Sequence, residues 1–226
     1  MKLPARWALV LGLAGSLLRA ADGPVYPTLA LGSDAPDFNL PGVDGKNHSL
    51  SEYAPAEVLC VVFNCNHCPT AQAYEERIKA LSSRFASRKV ALVVISPNSS
   101  AAVRLDELGY TDLGDSLEEM KIRAKERGFN FPYLYDGENC GVAKKYGPIA
   151  TPHAFVFDRA RKLRYAGRID DSERESLVKS DDLADALDAV LAGRGIAEAA
   201  AAAEAAEAKA ARAAKAKEAD ATPAAL

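Results

Sequence analysis

Two cysteines separated by two residues are the part of this sequence best suited to chemistry. Cys65 and Cys68 follow the apolar run Val58–Phe63 and precede a stretch with helical periodicity, which places them on a strand-to-helix turn. A helix N-terminus carries a partial positive charge and unpaired N–H groups, and both favour a thiolate over a thiol. Because the thiolate attacks disulfides and peroxides, the spacing predicts a redox pair. Zinc sites use the same spacing, so a metal site is the alternative.

The order of the two cysteines suggests their roles. We expect Cys65 to be the attacking thiol, because it comes first and lies at what should be the exposed end of the strand. The attack forms a mixed disulfide, which Cys68 resolves. His67 lies between them, where an imidazolium would lower the pKa of Cys65; a solvated loop histidine is the alternative. Pro69 would lie in the first turn of the following helix, where a backbone N–H has no partner within the helix, so its lack of an N–H fits a structural role.

Several other reactive residue types have structural explanations. Cys60 alternates within an apolar strand and is expected to pack as a small hydrophobic residue. Cys140 begins a short helix, either as a second resolving thiol or as an inert half-buried one. Arg168 could position an anionic substrate, although an ordinary exposed arginine is the simpler interpretation. His48 and His153 are isolated, which favours structural roles for both.

A strand–helix–strand unit should hold the cysteine pair. Apolar residues at helical spacing follow the pair up to Phe85, and Val90–Ile95 is a continuous apolar run typical of a strand covered on both faces. Loops at the carboxyl edge of such sheets hold the chemistry of open α/β folds. The later predicted elements are a helix opened by the capping box Ser116/Glu119, a strand at Phe131–Tyr135, a helix at Glu138–Tyr146, a hairpin of His153–Phe157 and Leu163–Ile169, and a helix from Ser180 to Gly193.

The N-terminal residues have the pattern of an export signal. Two basic residues precede the apolar stretch Trp7–Leu18, which is short for a membrane span, and the small residues Ala20 and Ala21 follow it. We therefore expect a signal peptide over residues 1–20, a periplasmic or secreted location and no stable membrane insertion after cleavage. An uncleaved anchor helix is the alternative.

The remaining composition limits the partners. The chain has 28 basic and 31 acidic residues, so its charge of −3 gives no electrostatic reason to expect nucleic acid as a partner. Residues 194–226 form an alanine-rich tail with almost no large apolar side chains to bury. This tail is expected to be a fraying helix or a disordered appendage, with a partner-docking helix as the alternative.

The order of elements, with C-x-x-C at the first helix and Thr151-Pro152 opening the hairpin, resembles the thioredoxin superfamily over residues 26–193. More narrowly, the chain resembles the alkyl hydroperoxide reductase/thiol-specific antioxidant (peroxiredoxin-like, redoxin) family. The motifs that carry this resemblance are Ala35-Pro36-Asp37-Phe38 with Leu40, Phe63-x-Cys65-Asn66-His67-Cys68-Pro69, Phe131-Pro132-Tyr133-Leu134-Tyr135-Asp136 and Thr151-Pro152.

The resemblance implies an α/β fold with a central mixed β-sheet flanked by helices. It implies an exported thiol–disulfide oxidoreductase with a redox-active disulfide between Cys65 and Cys68, with no cofactor and no metal. His67, Thr151 and a cis Pro152 would bind the substrate. That substrate would be a protein or small-molecule disulfide or a peroxide, and an external dithiol would reset the pair.

Two departures from the family pattern bear on activity. Peroxidatic cysteines follow P-x-x-x-T-x-x-C, whereas Val58 and Val62 stand at the matching positions before Cys65, which weakens the expectation of peroxide reduction. Ala150 stands where relatives carry a further cysteine. Two other hypotheses remain: a thioredoxin-fold copper-binding protein, with His153 as third ligand, and a redox-dead binding domain.

Overall fold

The computed structural model describes residues 26–101 and 113–194 and confirms the predicted α/β fold. In chain order, its strands are β1 (Asn39–Pro41), β2 (Asn47–Ser49), β3 (Val58–Phe63), β4 (Val90–Ser96), β5 (Tyr133–Tyr135), β6 (His153–Phe157) and β7 (Leu163–Gly167). Its helices are α1 (Pro69–Ala73), α2 (Glu75–Phe85), α3 (Leu117–Arg127), α4 (Gly141–Tyr146) and α5 (Asp182–Leu191).

One mixed five-stranded sheet forms the centre of the domain, in the order β5-β4-β3-β6-β7. β3, β4 and β5 run parallel, and β6 and β7 are antiparallel to their neighbours. Phe63, the last residue of β3, pairs with Ile95 on one side and with His153, the first residue of β6, on the other. The segments that follow β3 and precede β6 therefore meet at one edge of the sheet.

The two faces of the sheet are both buried, as the unbroken apolar runs predict. Alternate residues of β3 face opposite sides: Val58, Cys60 and Val62 pack under α2, α3 and α5, while Leu59, Val61 and Phe63 pack against the layer containing Phe38 and Tyr146. All six residues of β3 are buried. This strand is therefore held on both faces, and the turn that follows it begins from a fixed point.

The predicted elements are present, with differences at their ends. The helix after the cysteines is divided at Tyr74 into α1 and α2, and α5 begins after Asp181 rather than Ser180. The short hairpin of β1 and β2 was not predicted, because three-residue strands leave too few positions for an alternating pattern.

The predicted signal peptide and all but the first residue of the alanine-rich tail lie outside the described residues. Within the described parts of the chain, none of the helices has the length and apolar character needed to cross a membrane.

Candidate active site

The cysteine pair lies at the sheet edge where β3 ends and β6 begins. Cys65 follows β3 by two residues, and Cys68 is the N-cap of α1 with Pro69 in the first turn, as predicted from the sequence. Thr151, just before β6, approaches both sulfurs: its Oγ1 is 3.4 Å from Cys65 Sγ, and its carbonyl oxygen is 3.9 Å from Cys68 Sγ. The structure therefore brings together Cys65, Cys68 and Thr151, three of the residues selected from the sequence.

The two thiols differ in exposure, and the difference is opposite to the one expected. Cys65 is only 1% exposed, whereas Cys68 is half-buried. The expectation of an exposed Cys65 at the strand end is wrong, because Thr151, just before β6, packs over this thiol. Both cysteines are free thiols in this structure.

The buried carboxylate of Asp115 anchors the turn between the cysteines. Its Oδ1 accepts the backbone N–H of Asn66 at 2.8 Å and that of His67 at 3.3 Å. Its Oδ2 accepts the Asn98 amide at 2.7 Å and contacts His67 Nδ1 at 2.5 Å. Asp115 is fully buried, so these four donors replace the water that a carboxylate would otherwise bind. One side chain therefore holds both residues between the cysteines.

The position of Asp115 is set by the start of α3. Ser116 is the N-cap of this helix, and its side chain accepts the N–H of Glu119, whose carboxylate accepts the Ser116 N–H in return. Glu119 also accepts the N–H of Gly114 at 2.9 Å. The predicted capping box is confirmed. It fixes the residues on both sides of Asp115, which aims the carboxylate at the turn.

Asn66 adds a second set of bonds to the same turn. Its side-chain amide donates to the Gly114 carbonyl at 2.8 Å, and its Oδ1 accepts the Tyr133 hydroxyl at 3.1 Å. Its backbone carbonyl accepts the Gln72 side-chain amide at 2.7 Å. Asn66 is 1% exposed, and its polar groups are satisfied by the protein. The turn is consequently tied to α1, to β5 and to the segment before α3.

His67 is held in place rather than solvated. Its ring Nδ1 faces the carboxylate of Asp115, so we assign the Nδ1 proton to that contact. Asn98 lies 3.4 Å from the same nitrogen. The side chain is 18% exposed. The alternative of a free loop histidine is therefore wrong.

The environment drives the pKa values of the two thiols apart. The pKa of Cys65 is raised by its hydrogen bond to Cys68, by burial and by the charge of Asp115. The pKa of Cys68 is lowered to about 5, first by the hydrogen bond from Cys65 and then by the backbone N–H groups of Ala71 and Thr70. The pKa of Cys65 is therefore raised, not lowered as expected from the sequence, and the lowered pKa belongs to Cys68.

The peptide bond between Thr151 and Pro152 is cis, as the resemblance implied. A groove of about 400 Å³ starts at Thr151 and extends along Asn98, Cys140 and Ile149. Ile149 is 81% exposed, which is high for a large apolar side chain. A second molecule could therefore bind in this groove, next to the cysteine pair at Thr151.

The other candidate residues lie in structural roles. Cys60 is fully buried in β3, and burial raises its pKa to about 12. Arg168 pairs with Asp182. His48 contacts Asp44 and Tyr53, and His153 is buried with its Nδ1 accepting the Ile149 N–H. Cys140 is half-buried at the N-cap of α4, with its sulfur near the carbonyl of Gly137.

The residues that could hold a metal ion differ from those expected from the sequence. In the part of the chain that the structure describes, Cys65, His67 and Asp115 each offer an atom within 4.8 Å of the others. His153, the ligand candidate from the sequence, is not in this group. The oxygens of Asp115 already accept four hydrogen bonds, so the cluster is complete as a hydrogen-bonded network.

Sequence reasoning missed the residues that anchor the turn. Asp115 and Asn98 lie 47 and 30 residues beyond Cys68 in the chain, outside any motif. A local signal existed for Asp115, since it directly precedes the capping box at Ser116. Asn66 and Tyr133 belonged to the motifs quoted above, but no role was predicted for either.

Comparison with known proteins places this geometry in context. The sequence profile of the AhpC/TSA family matches residues 31–166, more than half of the chain. Two solved structures share 34% sequence identity with this chain. A hypothetical protein from Sinorhizobium meliloti 1021 has a TM-score of 0.65, with 75% of this chain and 88% of that chain covered. An uncharacterized conserved protein from Geobacillus kaustophilus has a TM-score of 0.64, with coverage of 76% and 85%.

More distant structures share the fold. A putative protein disulfide isomerase from Bacteroides thetaiotaomicron is 21% identical, with a TM-score of 0.55 and coverage of 72% of this chain and 91% of that chain. A search among curated proteins gave no match.

Proposed function

This chain belongs to the AhpC/TSA family, and we propose that it is a thiol–disulfide oxidoreductase with Cys65 and Cys68 as its redox pair. The observation that carries the proposal is that both cysteine sulfurs contact Thr151, in a turn that Asp115 holds by accepting the Asn66 N–H. Two cysteines that contact the same residue lie on the same side of the turn, as a disulfide between them requires. The protein would exchange this disulfide with a substrate, and an external dithiol would return it to the reduced form.

The site also has the features that favour exchange over a structural disulfide. Cys68 has accessible surface, and hydrogen bonding within the pair lowers its pKa, which favours a thiolate. A stabilised thiolate favours the reduced form, which makes the disulfide more oxidising. The groove beside Thr151 offers a place for a substrate, and the exposed Ile149 suits an apolar segment of a protein.

The proposal is tested by titrating the Cys65–Cys68 couple against glutathione buffers and mapping the disulfide by mass spectrometry. We expect a single two-electron transition with a potential above about −250 mV. Cys140→Ser is the matched control, since this cysteine is half-buried but lies outside the pair, and it should leave the transition unchanged. Absence of a Cys65–Cys68 disulfide across the range from about −350 to −100 mV would refute the proposal.

Peroxide reduction is a finer proposal that the same preparation can test. Hydrogen peroxide would oxidise one thiolate of the pair to a sulfenic acid, which the other thiol would convert to a disulfide with release of water. Comparing rates with peroxide and with a disulfide substrate decides which reaction the site favours. The metal hypothesis predicts a different result: stoichiometric Zn²⁺ or Cu⁺ binding, lost in Cys65→Ser and Asp115→Ala alike, without exchange activity.

We also propose that the protein is exported and works outside the cytoplasm. The support is the basic and apolar pattern that ends at Leu18, together with a redox pair suited to an oxidising compartment. Mass spectrometry of the protein from its native host is the test. A mature N-terminus near Ala21 is expected, and retention of the apolar stretch would contradict the proposal.

A further inference from the structure

We propose that a second pocket, between the β1–β2 loop and the segment that precedes β5, binds a small organic ammonium ion with an aromatic ring. The pocket has a volume of about 240 Å³ and is lined by neither cysteine of the redox pair. Drug-sized ligands occupy about 300–1,000 Å³, so this pocket suits a smaller molecule with a single ring. The proposal goes beyond the proposed function, because binding here does not require thiol exchange.

Aromatic side chains form one side of this pocket. Phe129 and Phe131 are stacked, with ring centroids 4.7 Å apart and planes at 28°. Tyr133 meets Phe129 edge to face, with centroids 5.6 Å apart, and Val43 and Pro132 complete the apolar lining. Phe131 and Tyr133 are buried, whereas Phe129 is half-buried and keeps accessible surface. Such a wall can stack against a ligand ring and attract a cation to its ring faces.

Asp44 adds a carboxylate to the same pocket, and its position is held by the loop. Its Oδ1 accepts the backbone N–H of Lys46 at 3.1 Å and contacts His48 Nε2 at 3.1 Å. The Tyr53 hydroxyl lies 3.3 Å from His48 Nδ1, so we assign the ring proton to Nε2, where it is donated to Asp44. The Asp44 side chain is 46% exposed, which leaves its oxygens accessible to a ligand.

The charges around the pocket favour a cation over an anion. Asp44 carries the formal charge of the lining when His48 is neutral. A second carboxylate, that of Glu52, lies 3.5 Å from His48 Nδ1. Lys46 is exposed and lies outside the lining. An anionic ligand would therefore meet a like charge at Asp44, whereas an ammonium group would form a charge-assisted hydrogen bond there.

The two sides of the pocket together define the ligand. The ammonium group would donate to Asp44, and the ring would lie against the aromatic wall that contains Phe129. Tyr133, which lines the pocket, also donates its hydroxyl to Asn66 Oδ1 at 3.1 Å. A ligand in this pocket would thus contact a residue that is bonded to the turn between the cysteines.

Titration of the reduced, full-length protein with 2-phenylethylammonium, followed by ¹H–¹⁵N NMR, tests the proposal. We expect saturable shifts of the Val43, Asp44 and Phe131 amide signals, with a Kd on the order of 1 mM. Phenylacetate has the same ring with the opposite charge and should bind at least about tenfold more weakly. Equal binding of the two compounds, or no saturable shift up to about 20 mM of the ammonium compound, would overturn the proposal.

A third compound tests whether the ring is needed. n-Butylammonium has the charge and the chain of a lysine side chain but no ring, and it should bind at least about threefold more weakly than 2-phenylethylammonium. Equal affinity would refute an aromatic ligand and would identify the pocket as a site for lysine-like side chains.

Substitution of the carboxylate tests its role directly. Asp44→Asn keeps the size of the side chain and should weaken binding of 2-phenylethylammonium at least about threefold. Asp37→Asn is the matched control, because it removes the same charge from an exposed aspartate outside the pocket, and it should leave the Kd unchanged. An unchanged Kd in Asp44→Asn would contradict the proposal. If this variant does not fold, the comparison of the cation and the anion on the wild type still decides.

Discussion

Replacing Asp115 by alanine should destabilise the protein strongly, because its carboxylate is the common acceptor of the turn. The side chain is fully buried and accepts bonds from the N–H groups of Asn66 and His67, from Asn98 and from the His67 ring. Asp115→Ala leaves these donors without their acceptor in a site from which water was excluded.

The size of the loss follows from the burial of each donor. An unsatisfied buried donor costs about 1–3 kcal/mol, and removing one partner of a buried charged contact costs about 3–5 kcal/mol. His67 is 18% exposed, so its ring can regain a bond to water, whereas Asn66 is 1% exposed and cannot. We therefore expect Asp115→Ala to lower the free energy of unfolding by about 3–5 kcal/mol. Asp115→Asn keeps one oxygen and should cost about 1–2 kcal/mol.

Urea unfolding of the reduced proteins, followed by far-ultraviolet circular dichroism, measures these losses. Asp181→Ala is the matched control, because this aspartate also precedes a helix but is exposed, and it should stay within about 0.5 kcal/mol of wild type. A loss below about 1 kcal/mol for Asp115→Ala would refute the view that this carboxylate holds the turn.

Three further predictions test other parts of the structure. The free energy of unfolding of the reduced wild type should rise relative to that of Cys68→Ser between about pH 5 and 8.5. In this range Cys68 is deprotonated in the folded state, with a pKa of about 5, but protonated in the unfolded state, with a pKa of about 8.5. Equal pH dependence of the two proteins in urea unfolding would contradict this. Ile149→Ser should raise KM for a protein disulfide up to about tenfold but leave a small aromatic disulfide unaffected, whereas Ile122→Ser, also exposed, should change neither. Gly147→Ala should lower stability by at least about 2 kcal/mol, since φ is +62° and a Cβ would lie 2.1 Å from the Pro27 carbonyl oxygen; an unchanged Tm would contradict the view that Gly147 is required by this close approach.

Long apolar runs were the part of the fold that sequence predicted best. β3 and β6 have the predicted bounds, since each run is continuous and ends at a change of residue type. The capping box of α3 was also predicted, because its two members are three residues apart and bond each other. These features depend on residues that are close to one another in the sequence, so a local pattern is enough to predict them.

Site residues that meet through the fold were harder to predict. The cysteine pair was found from its spacing, but Asp115 contacts a turn 48 and 49 residues away, and a carboxylate before a helix has many ordinary explanations. The relative exposure of the two thiols was also missed. It depends on how Thr151 packs over Cys65, and this contact is set by the register of β6 against β3.

The distances along the chain have a consequence for how the protein is made. Asp115 and Thr151, which hold and cover the turn, are 49 and 86 residues beyond the atoms that they contact. A chain still under synthesis therefore has two thiols with ordinary pKa values of about 8.5, mostly protonated at neutral pH. Their different acidities arise only when β6 joins the sheet and the segment before α3 reaches the turn. An unfolded chain thus lacks the contacts that shift the pKa values of the two thiols, and the site acquires them only when distant segments of the fold come together.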